Sequence, residues 1–385
     1  MSSPSVCIVG AGASGLASAV HLARRGVAEV TVIEAEYPAG GSSGLSVGVI
    51  ETQHTNPLAL EISARAMQFF DELERDHGLR IVRTGYLRLA RSASEAETFE
   101  PSVRAQHDLG IADARILRPD EIAKLVPHLN TEGIECGLWG PRDGFIDGHL
   151  YCSLLAELAR SLGVRILVRQ PLKESVRTAS GGHRIRTPGH ELDADLVVNA
   201  AGAWAPAVAE ILGTEMPISP QRHEAVIVHL RKPLHYVMPM VMDYAQRSHE
   251  AGVYFRHERS QQLVAGLHSD REAEEVSDLK HYARSASPEF LEGVAERLSE
   301  RLPSLADASL AHGWAGLYPV SPDGLPQVGP SAANPTVIAA GGAGGYGIQF
   351  SPVIGELVAD WIIDGQPKAS SYGPALDPRR AALGT

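Results

Sequence analysis

The chain has 385 residues, more than one hydrophobic core usually supports, so two domains are expected. Its formal charge of −12, without clustered Lys or Arg, excludes a nucleic-acid or anionic-membrane surface, and 44% hydrophobic residues is ordinary for a globular α/β protein. Three widely spaced cysteines without a CxxC exclude a disulfide framework, and no apolar run approaches about 18 residues, so we expect a cytoplasmic protein without a membrane partner.

The first predicted elements form a β–α–β unit. Residues 5–9 are predicted as a buried strand, 14–25 as a helix that ends at Gly26, and 30–33 as the next strand. Such a unit is expected to be parallel and right-handed. A loop rich in glycine and serine follows at 40–48.

The rest of the chain alternates between two patterns. The elements predicted next are a long helix capped by Asn56, begun by Pro57 and ended by Gly78, mixed short strands and helices at 84–145, a helix at 149–161, and strands at 164–168 and 195–199. They are followed by a strand-rich stretch at 217–311, alternating at 225–230 and 253–257, then a strand at 336–340, a glycine cluster and a helix at 352–363. This order predicts two interleaved domains of mixed α/β (α+β) class.

The strongest motif is glycine-rich and lies between the first strand and the first helix. It comprises Gly10, Ala11, Gly12, Ala13, Ser14 and Gly15. Gly10 permits a tight turn, Gly12 lets the backbone approach a pyrophosphate, and Gly15 allows close packing of helix on strand. Glu34 ends the second strand, where a carboxylate bonds the adenosine ribose and disfavours a 2′-phosphate. The motif predicts a dinucleotide site but leaves NAD and FAD open.

Three later segments carry a resemblance. Residues 195–204, 316–329 and 339–349 resemble, in order, segments of the FAD-dependent D-amino-acid oxidase superfamily, nearest its sarcosine oxidase and glycine oxidase branch. The resemblance runs from residue 5 to about 365. It implies a Rossmann-like FAD-binding domain interleaved with a substrate domain on a mixed β-sheet. The implied division gives 1–83, 146–216 and 312–385 to the FAD-binding domain, and 84–145 and 217–311 to the substrate domain.

The resemblance also implies the cofactor contacts. The expected FAD-binding residues are Gly10, Gly12, Ala13, Ser14, Gly15, Glu34, Ser42, Ser43, Leu172, Ala201, Gly202, Gly344, Gly345, Tyr346, Gly347, Ile348 and Gln349. Backbone N–H groups of 341–347 would face the flavin and stabilise its reduced, negatively charged form. A second phosphate loop for NAD(P)H is the alternative, but no further β–α–β unit follows it. The cysteine that anchors flavin in sarcosine oxidase falls at Gly316 here, so non-covalent FAD is expected, and no metal site is predicted.

The sequence departs from the family where the substrate carboxylate is bound. The three usual basic positions fall on Ile50 or Glu51, on Tyr318 and on Gln349. We therefore expect poor turnover of simple amino acids. Glu51 either faces the pocket and favours a cationic or polyol substrate, or is a solvated loop carboxylate. Arg222 and Arg256 are candidates for a replacement anchor, although such arginines more often bridge surface carboxylates.

Further candidates come from the predicted substrate domain. The expected pocket residues are Tyr318, Gln349, His268, Tyr254 and Glu51, with His54 as a weaker candidate. His268 matches a pocket histidine of the family, but it could equally be structural, and Tyr254 could be a packing residue. The oxygen-activating lysine of sarcosine oxidase aligns with Val264, which favours slow reaction with oxygen or another acceptor.

The resemblance implies an oxidoreductase that acts on a CH–NH bond of a small amine or amino-acid-like substrate, with hydride transfer to flavin N5 and an imine product. Two alternatives stay open: oxidation of a CH–OH bond, and an FAD-carrying subunit of a larger electron-transfer complex. The expected partners are a small-molecule substrate and oxygen or another electron acceptor, and a homo-oligomer is left open.

Overall fold

The computed structural model describes residues 3–244, 251–268, 274–368 and 371–380. Its strands are β1 (Val6–Val9), β2 (Val30–Ile33), β3 (Val49–Ile50), β4 (Tyr86–Ala90), β5 (Arg115–Leu117), β6 (Cys136–Gly140), β7 (Gly144–Phe145), β8 (Arg165–Leu167), β9 (Glu174–Arg177), β10 (His183–Arg186), β11 (Glu191–Ala194), β12 (Leu196–Asn199), β13 (Ser219–His229), β14 (Met240–Asp243), β15 (Gly252–Arg259), β16 (Gln262–His268), β17 (Ser309–Val320), β18 (Gln327–Pro330) and β19 (Val337–Gly341). The helices are α1 (Ala13–Arg24), α2 (Ser42–Leu45), α3 (Pro57–His77), α4 (Ala93–Ala96), α5 (Phe99–Asp108), α6 (Pro119–Leu125), α7 (Gly148–Ser161), α8 (Ala205–Ile211), α9 (Pro288–Arg301), α10 (Gly347–Asp364) and α11 (Tyr372–Leu376). Short 3-10 helices cover Gly202–Trp204, Pro303–Leu305 and Gly344–Tyr346.

A six-stranded sheet organises the two ends of the chain. Its order is β18-β19-β12-β1-β2-β8, with every pair parallel except β18 and β19. One face packs on α1, α7 and α10, through buried residues such as Ile8 and Val32. The other face packs on α8 and on the three-stranded sheet β11-β10-β9, through Cys7 and Val197. The predicted β–α–β unit, β1-α1-β2, therefore lies at the centre of a doubly covered sheet.

An eight-stranded sheet carries the middle of the chain. Its order is β17-β13-β16-β15-β14-β4-β6-β5, and it mixes antiparallel pairs with the parallel pair β14 and β4. One face packs on α9 through Phe290 and Val294. The opposite face meets the loop after α2, because Tyr86, Met240 and Tyr254 cluster with residues of that loop. The mixed sheet predicted from the sequence is confirmed, and one of its faces is turned towards the six-stranded domain.

The division into domains stays a prediction. Its expected boundary at 312 falls inside β17, which pairs with β13 along the edge of the eight-stranded sheet. The strand thus links the two sheets, since it continues towards the glycine cluster at 341–347.

The long helix α3 forms as its local sequence predicts. The side chain of Asn56 accepts a hydrogen bond from the Ala59 N–H at 3.1 Å, and Pro57 occupies the first turn. Gly78 ends the helix in the left-handed conformation with φ of 73°.

The last long helix begins earlier than predicted. The sequence places its start near Pro352, but α10 starts at Gly347 and contains that proline. Proline lacks the N–H that would bond the carbonyl of Ile348. The Ser351 hydroxyl donates to that carbonyl instead, at 2.7 Å. The helix N-terminus therefore lies in the glycine cluster itself, and this start places it at the site described below.

Candidate active site

The glycine-rich turn is shaped by two positions and left open by a third. Gly10 has φ of 109°, and a Cβ there would lie 2.5 Å from the Ala200 carbonyl oxygen. A Cβ on Gly15 would lie 2.0 Å from the Gly10 carbonyl oxygen. On Gly12 it would meet only the Ser43 hydroxyl, at 3.3 Å. Gly10 and Gly15 are thus needed for packing, whereas Gly12 keeps a surface open for a ligand.

Glu34 closes one end of this turn. Its Oε2 atom accepts a hydrogen bond from the Ala11 N–H at 2.7 Å, and its Oε1 atom accepts one from the Glu36 N–H at 2.8 Å. These bonds fix the carboxylate at the end of β2. Each carboxylate oxygen can accept another hydrogen bond, so Glu34 can bind ribose hydroxyls as expected.

A cavity of about 340 Å³ runs from Glu34 past the glycine-rich turn to the start of α10. Most of the residues expected to bind cofactor line it: Gly10, Gly12, Ala13, Ser14, Glu34, Ser42, Ser43, Leu172, Ala201, Gly202, Gly344, Gly345, Gly347 and Ile348. Tyr318 also lines it. The sequence analysis missed several others, among them Gln170, Trp204, Gly40 and Gly41. Gln170, Gly40 and Gly41 belong to loops, and Trp204 ends a short 3-10 helix. In this part of the lining, the resemblance had indicated only Leu172, near the expected adenine.

Three expected cofactor residues lie outside this lining. Gly15 packs α1 against β1, as its close approach to Gly10 requires. Tyr346 stacks on Phe350, with ring centroids 5.1 Å apart, and meets His54 edge-on. Gln349 is 3% exposed. Its amide nitrogen donates to the Glu51 carbonyl at 2.5 Å and to the Ser63 hydroxyl at 2.6 Å. Gln349 therefore fixes the loop after β3.

The cavity fits FAD at both ends. Helices α1 and α10 both begin at it, neither has a side-chain cap, and neither has an acidic residue in its first turn. Their N-terminal amide groups suit the pyrophosphate at one end and the pyrimidine edge of the flavin at the other. Gly12 leaves an open surface between them, and Glu34 would supply an acceptor for the ribose hydroxyls. No cysteine appears among the described residues that line the cavity, in keeping with non-covalent binding.

Neutral aromatic side chains lie at the sheet side of the cavity. Tyr318 stacks on His223 with ring centroids 3.9 Å apart. Burial raises the pKa of Tyr318 to about 12, and burial lowers the pKa of His223 to about 4, with nearby His268 contributing in the same direction. Burial also raises the pKa of Tyr254. His268 meets the Tyr244 ring edge-on at 4.5 Å. His223 was not predicted, because it precedes the alternating stretch at 225–230 and belongs to no motif; in the structure β13 begins earlier, at Ser219.

Glu51 is buried, with 2% of its surface exposed, so the alternative of a solvated loop carboxylate is wrong. Its Oε1 atom lies 3.2 Å from His54 Nε2 and 3.9 Å from Arg88 Nη2, and its other oxygen accepts the Gln53 N–H. Burial lowers the pKa of His54, against the attraction of Glu51. The carboxylate is therefore already surrounded by partners from this chain.

Arg222 and Arg256 have other roles than the expected anchor. Arg222 pairs with Glu224 at 3.1 Å and donates to the carbonyls of residues 283 and 285. Arg256 lies over the Phe145 ring at 3.7 Å, pairs with Glu258 at 2.6 Å and donates to the carbonyl of residue 47. Both guanidinium groups hold the protein's own loops, so we do not assign either as the replacement anchor.

Arg88 is a cation at this site that the sequence analysis missed. It lies on β4 with 11% of its side chain exposed, and it donates from Nε to the Gln53 carbonyl at 2.9 Å. Burial acts to lower the pKa of Arg88, but Tyr86, Glu51 and Tyr346 outweigh it and the net direction is upward. The sequence did contain a signal: Arg88 stands between two leucines of a strand, so its side chain points to the face opposite theirs.

The two sheets, the glycine-rich turn and the paired helix N-termini define a flavoprotein with a dinucleotide-binding domain. The comparisons agree. The chain belongs to the FAD dependent oxidoreductase (DAO) family, whose model matches residues 5–361, and its cofactor is FAD. Among the described residues, no helix combines the length and apolar character needed to cross a membrane.

Several known proteins are similar to this chain. The mitochondrial dimethylglycine dehydrogenase of Rattus norvegicus is 28% identical over 97% of the chain, and the glycine oxidase of Geobacillus kaustophilus is 26% identical over 93% of the chain and 92% of its own length. The crystal structure of L-proline dehydrogenase from P. horikoshii is 26% identical, with a TM-score of 0.85 over 98% of this chain and 97% of that one. The chain spans 44% of the length of the dimethylglycine dehydrogenase.

Proposed function

We propose that this protein oxidises a CH–NH bond of a small amine or amino-acid-like substrate to an imine, which water then hydrolyses. The observation that carries the proposal is an aromatic wall at the α10 end of the FAD cavity. Tyr318 lines the cavity beside Gly345, His223 stacks on Tyr318 at 3.9 Å, and the buried Tyr254 lies on the same sheet. Relatives named for dimethylglycine, glycine and L-proline support the same substrate class.

The wall suits an amine better than an alcohol. FAD, when bound, supplies the two-electron acceptor for the C–H bond next to nitrogen. A neutral amine needs no strong base for this step, whereas an alcohol must also give its O–H proton to a base. Tyr318 and Tyr254 are phenols, which are protonated at neutral pH, and burial raises the pKa of each further. His223 is a weak base because burial lowers its pKa. These side chains can orient a neutral amine and exclude water from it.

Trapping the product tests this proposal. The holoenzyme would be incubated with N-methylglycine or proline in the presence of an artificial electron acceptor and borodeuteride. An imine product returns amine labelled with deuterium at the oxidised carbon. A parallel incubation would supply the matching hydroxy acid. Deuterium recovered only in that hydroxy acid, and not in the amine, would favour CH–OH oxidation instead.

We propose further that the electron acceptor is not primarily oxygen. Val264 in β16 is uncharged and 2% exposed, where the related sarcosine oxidases carry a lysine. Arg256, opposite it in β15, is already paired with Glu258 at 2.6 Å. A fixed positive charge beside the flavin favours superoxide formation, and its loss slows reoxidation by oxygen. Reoxidation in air should therefore be slower than reoxidation by phenazine methosulfate. The cytoplasmic location and the oligomeric state also stay predictions, which cell fractionation and sedimentation would test.

A further inference from the structure

Arg88 lies on the face of the eight-stranded sheet that is turned towards the FAD-binding domain. Its neighbours Leu87 and Leu89 pack into the core on the other face. Met242 of β14 lies between the other two residues: it pairs with Arg88 of β4 on one side and with Tyr254 of β15 on the other. The three residues therefore form one row across the three strands. Side chains in such a row point to the same face. Arg88 therefore shares the surface of Tyr254.

The Arg88 guanidinium has donors to spare. Its Nε bonds the Gln53 carbonyl, and its Nη2 atom lies 3.4 Å from the Tyr86 hydroxyl and 3.9 Å from Glu51. Within the described residues its Nη1 group has no hydrogen-bond acceptor, although an arginine offers five N–H donors. This Nη1 group is not fully buried. A partly buried cation with two unused donors is suited to a planar anion.

Among the residues that the structure describes, the other arginines near this face lack that property. Arg256 and Arg222 are held by the protein's own carbonyls and carboxylates. Arg91 and Arg301 both pair with the buried carboxylate of Asp243, at 2.7 and 2.6 Å. Arg88 differs because its closest carboxylate, Glu51, is 3.9 Å away and is shared with His54.

We propose that Arg88 is the specificity-determining residue that binds the substrate carboxylate, in place of the basic residues that related oxidases carry at the positions of Ile50 or Glu51, of Tyr318 and of Gln349. The proposal rests on the CH–NH oxidation proposed above and names its substrates as amines that bear a carboxylate. The Nη1 donors hold the anion, and Tyr254 lies in the same row of the sheet, on the other side of Met242. Simple N-alkyl amino acids are then accepted, which revises the expectation of poor turnover drawn from the missing anchors.

Binding of unreactive analogues to the holoenzyme tests the proposal without relying on turnover. Methoxyacetate and tetrahydrofuran-2-carboxylate carry oxygen in place of the amine nitrogen, and 2-methoxyethanol and tetrahydrofurfuryl alcohol are their uncharged counterparts. Calorimetric titration should show that Arg88→Gln weakens the two carboxylates by roughly tenfold to hundredfold, the loss of one charge-assisted contact, and leaves the alcohols unchanged. Arg88→Lys should restore part of the affinity. Glu51→Gln should tighten carboxylate binding, because it removes the competing negative charge.

The controls separate this proposal from the function it rests on. Arg115→Gln removes an exposed arginine from β5, at the far edge of the same sheet, and should leave all four affinities unchanged. Retained FAD absorbance shows that each variant is folded. Equal carboxylate affinity in the wild type and Arg88→Gln, or no carboxylate binding by the wild type, would overturn the role of Arg88. If Arg88-dependent binding is found but no amine reduces the flavin, the carboxylate site stands and the proposed reaction fails.

Discussion

The Glu34 carboxylate is held against the glycine-rich turn by the Ala11 N–H, which donates to its Oε2 atom over 2.7 Å. The same side chain accepts the Glu36 N–H, so its position does not depend on the cofactor. A ribose that binds here meets a carboxylate whose orientation is already fixed, and ordering it costs no further side-chain entropy.

Replacing Glu34 should therefore weaken FAD binding, and the size of the loss should depend on the residue that replaces it. Glu34→Ala removes the ribose acceptor and the brace on Ala11, and should cost about 1–3 kcal/mol of binding free energy. Glu34→Gln keeps an amide oxygen for the Ala11 N–H and should lose less. Titration of the apoprotein with FAD, followed by flavin fluorescence, gives both dissociation constants. Equal constants for the wild type and the alanine variant would show that the carboxylate does not contact the ribose.

Two glycines of the same turn should respond differently to alanine. Gly12→Ala places a methyl group against only the Ser43 hydroxyl, so the fold should survive while FAD affinity falls. Gly15→Ala places it 2.0 Å from the Gly10 carbonyl oxygen, and should destabilise the domain by about 1–3 kcal/mol. Thermal unfolding of both variants, with and without FAD, separates the two effects. If the Gly12→Ala variant unfolds at as low a temperature as the Gly15→Ala variant, Gly12 is needed for packing and not for the cofactor.

The buried carboxyl of Asp143 should make stability depend on pH. Burial, helped by the charge of Glu51, raises the pKa of Asp143 from 3.8 to about 8, while Gln53 and Thr52 donate to it. The folded state then holds one proton more than the unfolded state between these values. The free energy of unfolding should fall as pH rises through this range, by up to about 1.4 kcal/mol per pH unit.

Asp143→Asn removes that titration and is the matched variant. Relative to the variant, the melting temperature of the wild type should fall between about pH 5 and pH 8, and the difference should stay constant above pH 8. A difference that stays constant across this range would mean that Asp143 is ionised in the folded protein at neutral pH.

The predicted state of the cofactor can be checked directly. Cys7 and Cys152 are buried, and the third cysteine, Cys136, lies on β6 of the eight-stranded sheet. Because none of them lines the cavity, acid precipitation should release all the yellow colour into the supernatant as FAD. Flavin retained on the precipitated protein would reveal a covalent bond that the lining residues do not explain.

Local signals made much of the fold predictable from the sequence. The caps at Asn56 and Gly78 and the motif from Gly10 to Glu34 act within a few residues or one β–α–β unit, so their geometry follows from residue type. The start of α10 was misplaced because Pro352 resembles a first-turn proline, and the hydroxyl of Ser351 that compensates for it is a weak signal.

The site was harder to predict because its walls meet only in the folded chain. Glu51 and Arg88 come from a loop after β3 and from β4, and nothing in either segment indicates that they lie 3.9 Å apart. Likewise, His223 meets Tyr318 because β13 pairs with β17, almost one hundred residues later. The glycine-rich motif and the family resemblance together predicted most of the residues that line the cavity, whereas the expected substrate residues came from the resemblance alone.

Anaerobic mixing of the holoenzyme with paired substrates distinguishes CH–NH from CH–OH oxidation. N-methylglycine and proline would be compared with glycolate and lactate, the hydroxy acids that offer a CH–OH bond in place of CH–NH, while the flavin absorbance is followed. We expect the amines to bleach the flavin rapidly and the hydroxy acids to leave it oxidised. Bleaching by the hydroxy acids alone, or by none of the four compounds, would show that the protein is not an oxidoreductase of CH–NH bonds in these amines.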